Sequence, residues 1–310
     1  MSYLSISIKE IVNNISANVN GWFLPPVQRP YVWGSRYENE KYICKLFDSI
    51  LRGYPIGGII LWNNENEMPY REFLRDYKIG DIEPFVDKGL WKRKDKWLVY
   101  DGQQRLQTIY SCLKYTLNCR VLVFDLTFDL EKEYEDTELL GFKFIEKNEN
   151  TAPYEIRINQ LFSKLEDEKV AFRKTIISKC SDEIKETYET IIENNLDKLW
   201  SIFVKTDTKS IAYFPIQTSD ETKVNEIFQR LNTGGVPLSQ SDLLFSRIKE
   251  KKFDFEENLQ IFSKRIFEST GKGYIFDSYQ ILQLLNLIIT GSIRINPTRI
   301  KESQITEFEK

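Results

Sequence analysis

The chain has 310 residues, of which 41% are hydrophobic and 29% are charged, with a formal net charge of -3. This balance is ordinary for a folded protein, so it excludes fibrous and disordered classes and any global basic field for nucleic acid. The sequence contains no histidine, which excludes Ser-His-Asp and Cys-His catalysis, H-E-x-x-H zinc chemistry and the histidine base of HNH nucleases. Any chemistry must use carboxylates, arginines, amides, hydroxyls and bound metal.

Targeting and cysteine signals are weak. The N-terminal stretch MSYLSISIKEIVNNI lacks the basic start and apolar centre of a secretory signal, so we expect a cytoplasmic protein. No apolar run approaches the roughly 18 residues of a membrane span, and ILQLLNLIIT is predicted to be a buried helix. The cysteines are scattered without a C-x-x-C pair, which predicts neither a zinc site nor a disulfide framework; they are Cys44, Cys112, Cys119 and Cys180.

The first part of the chain is predicted to mix helices with strands. Apolar residues at helical spacing predict a helix over residues 38–52, which Gly53 ends and Pro55 cannot continue. The stretches IGGIILW, KWLVY and RVLVFDLTFDL predict three strands, the last alternating as far as Leu130. A helix is predicted to begin near Gln103, directly after the second of these strands.

The second part changes character. Residues 131–150 are polar and acidic, which predicts a linker or variable insert. Beyond residue 155 the pattern is mainly helical, with one candidate strand, IAYFPIQ. We therefore predict an α+β fold in two domains: a small mixed sheet with helices over residues 1–135, followed by a mainly helical domain over residues 136–310.

The stretch VYDGQQRLQTIY places many hydrogen-bonding groups where a strand gives way to a helix. A helix N-terminus presents unpaired backbone N–H groups and partial positive charge, which suits an anion. Gly102 would let a ligand approach the backbone, Arg105 could bind phosphate, and Gln103 and Gln104 can donate and accept. Asp101 could hold a divalent metal or cap the helix. The alternative is a plain turn with a solvated arginine.

Two other stretches are unusual. In GWFLPPVQRPYVWG, residues 21–34, aromatic rings could stack on a base while Arg29 reaches phosphate, or they could pin a proline-rich loop to the core. In VNEIFQRLNTGGVPLSQSDLLFSRI, residues 224–248, two glycines end one helix and a capping-box pattern begins the next. The second helix is too apolar to read an operator, so a packed hairpin whose LNTGG turn faces a ligand fits better.

In this order the three stretches resemble the N-terminal domain family of GmrSD-type restriction endonucleases, whose core is similar to ParB and sulfiredoxin. The resemblance rests on Pro26, Gln28, Arg29, Tyr31 and Trp33, on Gly53, Pro55 and Gly57, on the intact Asp101 to Arg105 motif, and on Leu231, Asn232, Gly235, Leu238 and Asp242. It implies a domain that binds and hydrolyses nucleoside triphosphates with Mg²⁺ and couples this to the cutting of DNA, including modified DNA. The nuclease would be an HNH-type domain, either C-terminal or separate, because these residues contain no histidine.

The resemblance and the side-chain chemistry together imply roles for individual residues. The predicted catalytic residues are Asp101, which activates magnesium or water, Gln104, which orients water, and Arg105, which contacts phosphate. Asp101 is also the predicted metal ligand. The predicted nucleotide- and phosphate-binding residues are Gln28, Arg29, Gly102, Gln103, Asn232 and Thr233. ATP and GTP are not distinguished, and the resemblance leaves room for a homo-oligomer.

Two alternative functions remain open at this point. A DNA-binding module without activity could use KGLWKRKDKW, residues 88–97, in which five cations alternate with two tryptophans, with Lys92, Arg93 and Lys94 as contacts. The same stretch could equally be a solvated loop. A nuclease acting through the ParB-like core would need Asp101, Asp125 and Asp242 to hold metal.

Overall fold

The computed structural model describes residues 3–26, 31–63, 65–132, 140–220, 223–224, 226–227, 244–245, 248, 255–270, 276–295 and 302–308. These residues form an α+β protein with two sheets. The strands are β1 (Leu4–Ile6), β2 (Trp22–Phe23), β3 (Ile59–Asn63), β4 (Trp97–Asp101), β5 (Arg120–Asp125), β6 (Phe142–Glu146), β7 (Glu155–Arg157) and β8 (Ile211–Gln217). The helices are α1 (Ile8–Asn14), α2 (Glu40–Arg52), α3 (Gln103–Lys114), α4 (Ile158–Phe162), α5 (Lys169–Lys179), α6 (Asp182–Phe203), α7 (Phe255–Thr270), α8 (Ser278–Thr290) and α9 (Glu302–Phe308).

The larger sheet has five strands in the order β1-β8-β3-β4-β2. Strand β8 lies antiparallel to β1 and parallel to β3, and β3 lies antiparallel to β4. The predicted strand IAYFPIQ is therefore confirmed, and it pairs inside the sheet of the N-terminal part. The domain boundary at residue 135 stays a prediction, while the larger sheet takes strands from both sides of it.

Helix α2 shows how the sequence pattern produces the main core. Its apolar side packs inward, with Phe47 fully buried, and burial of such a side chain contributes about 1.5–3 kcal/mol. The helix ends at Gly53, whose φ of 74° is left-handed, a conformation that glycine adopts without steric cost. The predicted helix and its stop are confirmed. Its opposite side faces solvent and is free to line a site.

The predicted third strand is shorter than its pattern suggested. Strand β5 ends at Asp125, whose Oδ1 accepts hydrogen bonds from Thr127 N at 2.8 Å and Thr127 Oγ1 at 2.6 Å. Such a local turn competes with the strand ladder for backbone groups. The predicted alternation is wrong beyond Asp125, although Leu126 and Leu130 are both buried.

The predicted linker over residues 131–150 is also wrong in part, because it contains strand β6. This strand pairs antiparallel with β5 along its length, from Phe142 opposite Phe124 to Glu146 opposite Arg120. The alternation of Phe142 and Phe144 with Lys143 was masked by the acidic residues around it. Residues 133–139 lie outside the described part of the chain.

Helix α8 contains the stretch ILQLLNLIIT, and only one of its sides is buried. Ile281, Leu282 and Asn286 pack inward, whereas Ile288 is 79% exposed. The predicted helix is therefore confirmed, but its burial is limited to one side. No helix in the described ranges is long and apolar enough to cross a membrane.

Candidate functional site

The junction of β4 and α3 has the predicted form. Strand β4 ends at Asp101, and Gly102 caps α3 with a left-handed φ of 92°. A Cβ at Gly102 would lie 3.1 Å from Ile59 Cγ1. Glycine is thus favoured twice here, by backbone conformation and by the close approach of β3.

Arg105 is held inside this junction. Its Nη1 donates to Ile56 O at 2.6 Å and its Nη2 to Gly58 O at 3.0 Å, and Nη2 lies 3.3 Å from Asp101 Oδ2. Burial lowers the pKa of the guanidinium and Asp101 raises it, yet arginine stays charged. With its side chain 16% exposed, Arg105 is not a solvated residue. It holds the turn at Gly57 against the end of β4.

Two glutamines one helical turn apart on α3 hold two separate loops. Gln104 Oε1 accepts from Val32 N at 2.9 Å and from Trp33 N at 3.4 Å. Gln107 accepts from Leu74 N at 2.9 Å and donates to Leu74 O at 2.8 Å, so its amide pairs as a strand backbone would. Gln107 was missed by the sequence reasoning, and the available signal was an amide next to the apolar positions of α3 at Leu106 and Ile109.

The aromatic stretch at residues 21–34 packs mostly into the core. Tyr31 is buried, its hydroxyl lies 2.7 Å from Thr108 Oγ1, and its N–H donates to Glu83 Oε1 at 3.0 Å. Burial raises the pKa of the Tyr31 hydroxyl well above its ordinary value. Trp22 and Phe23 are buried as well. Base stacking on these three rings is therefore excluded. The alternative, in which the rings pack the loop against the core, holds for them.

A cleft of about 720 Å³ lies beside Arg105. It is lined by Val32, Trp33, Ser35, Arg36, Asn39, Tyr42, Lys45, Leu46, Ser49, Pro55, Ile56 and Arg105. Three of these residues are cations, two are aromatic rings that can stack, and none is a carboxylate. The cleft therefore offers a positive, partly aromatic surface to an anion.

The cations of the cleft differ in the contacts they make within the protein. Arg105 already binds two carbonyl groups, whereas Arg36 and Lys45 are exposed and make no ion pair with any residue that the structure describes. Both were missed by the sequence reasoning, because a lone cation on an exposed helix face or after a turn looks like any solvated residue. They are the groups best placed to contact a phosphate.

The structure describes only some of the other predicted phosphate-binding residues. Gly102 and Gln103 lie at the α3 N-terminus as predicted. Gln28, Arg29, Asn232 and Thr233 lie outside the described residues. Their predicted roles stay predictions.

Asp101 is the one predicted metal ligand with a defined setting. Its side chain is 53% exposed and is paired with Arg105. Within the described ranges no group of three or more acidic or cysteine side chains could hold a metal ion. Magnesium bound to a nucleotide takes one or two protein carboxylates, since phosphates and water supply the other ligands. Asp101 has the chemistry for that use, but it is paired with Arg105 and is not among the residues that line the cleft. The three-carboxylate alternative has little support, because Asp125 is engaged by Thr127 and Asp242 lies outside the described residues.

The basic stretch at residues 88–97 turns two of its cations inward. Arg93 lies 2.7 Å from Asp95 and donates to Ala17 O at 3.2 Å. Lys96 is fully buried, and its Nζ donates to the carbonyl groups of Asn66, Trp91 and Arg93. Burial lowers the pKa of Lys96 to about 8. Of the predicted DNA contacts, only Lys92 and Lys94 face solvent.

The described residues thus form an α+β core in which the DGQQR junction lies beside a cleft lined by cations. The profile described as the GmrSD restriction endonuclease N-terminal domain matches residues 8–249. The chain belongs to this family, which is part of restriction systems. A similar relative, the uncharacterized protein MJ0686 of Methanocaldococcus jannaschii, is 26% identical over 259 residues. That match covers 77% of this chain and 42% of the relative, so the chain spans less than half the relative's length. The ParB and sulfiredoxin likeness of the core stays a prediction.

Proposed function

We propose that this chain binds and hydrolyses nucleoside triphosphates with Mg²⁺ as the sensing domain of a restriction system directed at DNA, including modified DNA. The observation that carries the proposal is the cleft beside Arg105, whose described lining has three cations, two aromatic rings and no carboxylate. Of the two rings, Tyr42 is exposed and Trp33 is half-buried. Family membership supports the restriction role.

The shape of the cleft suggests how a nucleotide lies in it. Tyr42 and Ser49 are seven residues apart on α2, a separation of about 10 Å along the helix. This separation is comparable to the length of a nucleotide. Trp33 and Tyr42 offer a place for the base near the start of α2. Lys45 and Arg105 offer charge for the phosphates further along, on the side where Asp101 ends β4.

The chemistry fits a site without histidine. Phosphoryl transfer depends on positioning and charge neutralisation rather than on a histidine base. In the proposal, Arg36 and Lys45 contact phosphates, Asp101 binds magnesium or water, and Gln104 orients water while holding the Val32 loop. Magnesium would neutralise phosphate charge. Arg105 supplies fixed positive charge and holds the Gly57 turn.

The test is phosphate release by the whole chain with Mg²⁺ and each of the four ribonucleotides, with and without modified DNA. We expect Arg36→Ala and Lys45→Ala each to weaken nucleotide binding about tenfold, as loss of a charge-assisted bond predicts. Lys179→Ala, an exposed lysine at the end of α5, is the matched control. Wild-type affinity in both cleft variants would refute the site. Nucleotide binding without turnover would reduce the function to binding.

The partner is proposed to be an HNH-type nuclease, either C-terminal or separate. The chain covers only 42% of its relative, and it has no histidine for such a nuclease. The DNA-binding alternative through residues 88–97 is less favoured, because Arg93 and Lys96 are committed to the protein itself. A homo-oligomer and a cytoplasmic location stay predictions.

A further inference from the structure

Helix α7 contacts a segment that leads to the cleft, and we name residues 70–85 the bridging segment. Lys264 Nζ lies 3.0 Å from Asp81 Oδ1, and Glu257 Oε2 lies 3.9 Å from Arg71 Nη2. Glu257 and Lys264 are seven residues apart, so they lie on the same side of α7 two turns apart. The helix therefore holds the bridging segment at two points.

The Arg71 contact is largely buried. Its side chain is 8% exposed, its guanidinium carbon lies 4.0 Å from the Phe85 ring centroid, and Nη1 donates to Glu83 O at 3.2 Å. Burial lowers the pKa of Arg71, and Glu257, Glu83 and Glu256 raise it. A buried cation that loses a counter-charge is costly. The acidic residues of α7 thus help to keep Arg71 in place.

The bridging segment also holds the cleft wall, through Glu83. This residue is buried, and its Oε1 accepts from Tyr31 N at 3.0 Å. Tyr77, also in the bridging segment, packs edge-on against Tyr31 with ring centroids 4.8 Å apart. Val32 and Trp33 follow directly and line the cleft. A displacement of the bridging segment would therefore move Tyr31 through its contacts with Glu83 and Tyr77, and with it the cleft wall, which we define as residues 31–33.

We propose that Glu83 is a positioning residue through which helix α7 adjusts the affinity of the cleft, an inference that rests on the proposed nucleotide site. With both ion pairs of α7 in place, the wall at Tyr31 to Trp33 is held for binding. Loss of these pairs loosens the wall. By reciprocity, a nucleotide in the cleft strengthens the attachment of α7 to the bridging segment.

The experiment compares Lys264→Glu with Arg265→Glu. The two residues are adjacent on α7 and carry the same charge, but Arg265 is exposed and makes no ion pair with any described residue. The measurements are hydrogen exchange over residues 31–34 without nucleotide, and the affinity for a Mg²⁺-nucleotide. We expect Lys264→Glu to speed the exchange and to weaken binding about three- to tenfold, the range typical of coupled sites. We expect no change in Arg265→Glu.

Two further sets of variants test whether the coupling passes through Asp81 and Glu83. Asp81→Lys combined with Lys264→Glu restores an ion pair, so it should recover exchange protection relative to the single variants. Glu83→Gln keeps an acceptor for Tyr31 N, whereas Glu83→Ala removes it, so the glutamine variant should retain more affinity.

The two proposals fail in different ways. Unchanged exchange over residues 31–34 in Lys264→Glu, or an equal effect in Arg265→Glu, would overturn the coupling whatever the nucleotide data show. Faster exchange in a protein that binds no nucleotide would leave the coupling of α7 to the wall intact and refute the proposed nucleotide site instead.

Discussion

The cleft and the basic loop at residues 88–97 are both rich in cations but use them differently. In the loop, Arg93 and Lys96 donate to backbone carbonyl groups and are largely buried. In the cleft, Arg36 and Lys45 face solvent without an ion pair among the described residues. The loop also exposes Lys88, Lys92 and Lys94, but only the cleft places exposed cations beside Arg105 in a concave surface.

The difference has a simple physical origin. A loop without regular secondary structure leaves carbonyl groups without ladder partners, and these groups must find donors. Lysine and arginine side chains can supply several donors each, so Lys96 and Arg93 are drawn inward. Helix α2 satisfies its own carbonyl groups, and Lys45 makes no ion pair with any described residue. Arg93 and Lys96 are thus less available to a ligand than Lys45.

The largest expected effect comes from Arg93. Replacement by alanine removes the Asp95 pair and the bonds to the carbonyl groups near residue 18. We expect a loss of about 2–3 kcal/mol in the free energy of unfolding, measured in urea, with nucleotide affinity unchanged. Lys94→Ala, an exposed neighbour, should change stability by less than about 0.5 kcal/mol. Equal unfolding free energies of the two variants would show that Arg93 contributes no more to the fold than an exposed lysine does.

A similar effect is expected within helix α3. Gln107→Leu leaves Leu74 N and Leu74 O without their amide partner, and we expect a loss of about 2 kcal/mol. Gln103→Ala, at a half-exposed position one turn earlier, should cost less than about 0.5 kcal/mol. Urea unfolding of both variants would show which glutamines of the motif region hold the fold. A destabilised Gln103 variant beside a stable Gln107 variant would contradict this division.

A smaller effect is expected from the titration of Lys96. Burial lowers the pKa of Lys96 in the folded chain to about 8 from its ordinary value of 10.5. Between these pH values the unfolded chain therefore binds a proton that the folded chain does not. The contribution of Lys96 to stability therefore rises with pH across this window. The difference in unfolding free energy between wild type and Lys96→Met should grow from near pH 8 to near pH 10.5. A difference independent of pH would contradict the buried setting of Lys96.

Periodicity in the sequence predicted the elements that pack on one side. Helix α2, the β4-α3 junction and strand β8 were all recognised, because their apolar spacing and glycine positions have local causes. The end of β5 at Asp125 was not recognised, since a side chain competing with the ladder has no periodic signature. Strand β6 was missed because charged residues surround its short apolar alternation.

The sequence predicted the strand-to-helix junction of the candidate site, and the structure places Asp101 and Gln103 there. It did not show that Arg105 is bound to Ile56 and Gly58. Arg36 and Lys45 could not be recognised, because their proximity to Arg105 depends on how α2 packs. Pairing between distant segments decides which side chains share a cleft, and spacing along the chain does not report it.

The most direct test of the account is the equilibrium affinity for a Mg²⁺-nucleotide in two charge reversals, Lys45→Glu in the cleft and Lys92→Glu in the basic loop. Both lysines are exposed, and Lys92 has a side chain 76% exposed, so neither change should unfold the protein. We expect Lys45→Glu to weaken binding at least about tenfold and Lys92→Glu to leave it unchanged. Loss of binding in Lys92→Glu with normal binding in Lys45→Glu would show that the ligand site lies in the loop and not in the cleft.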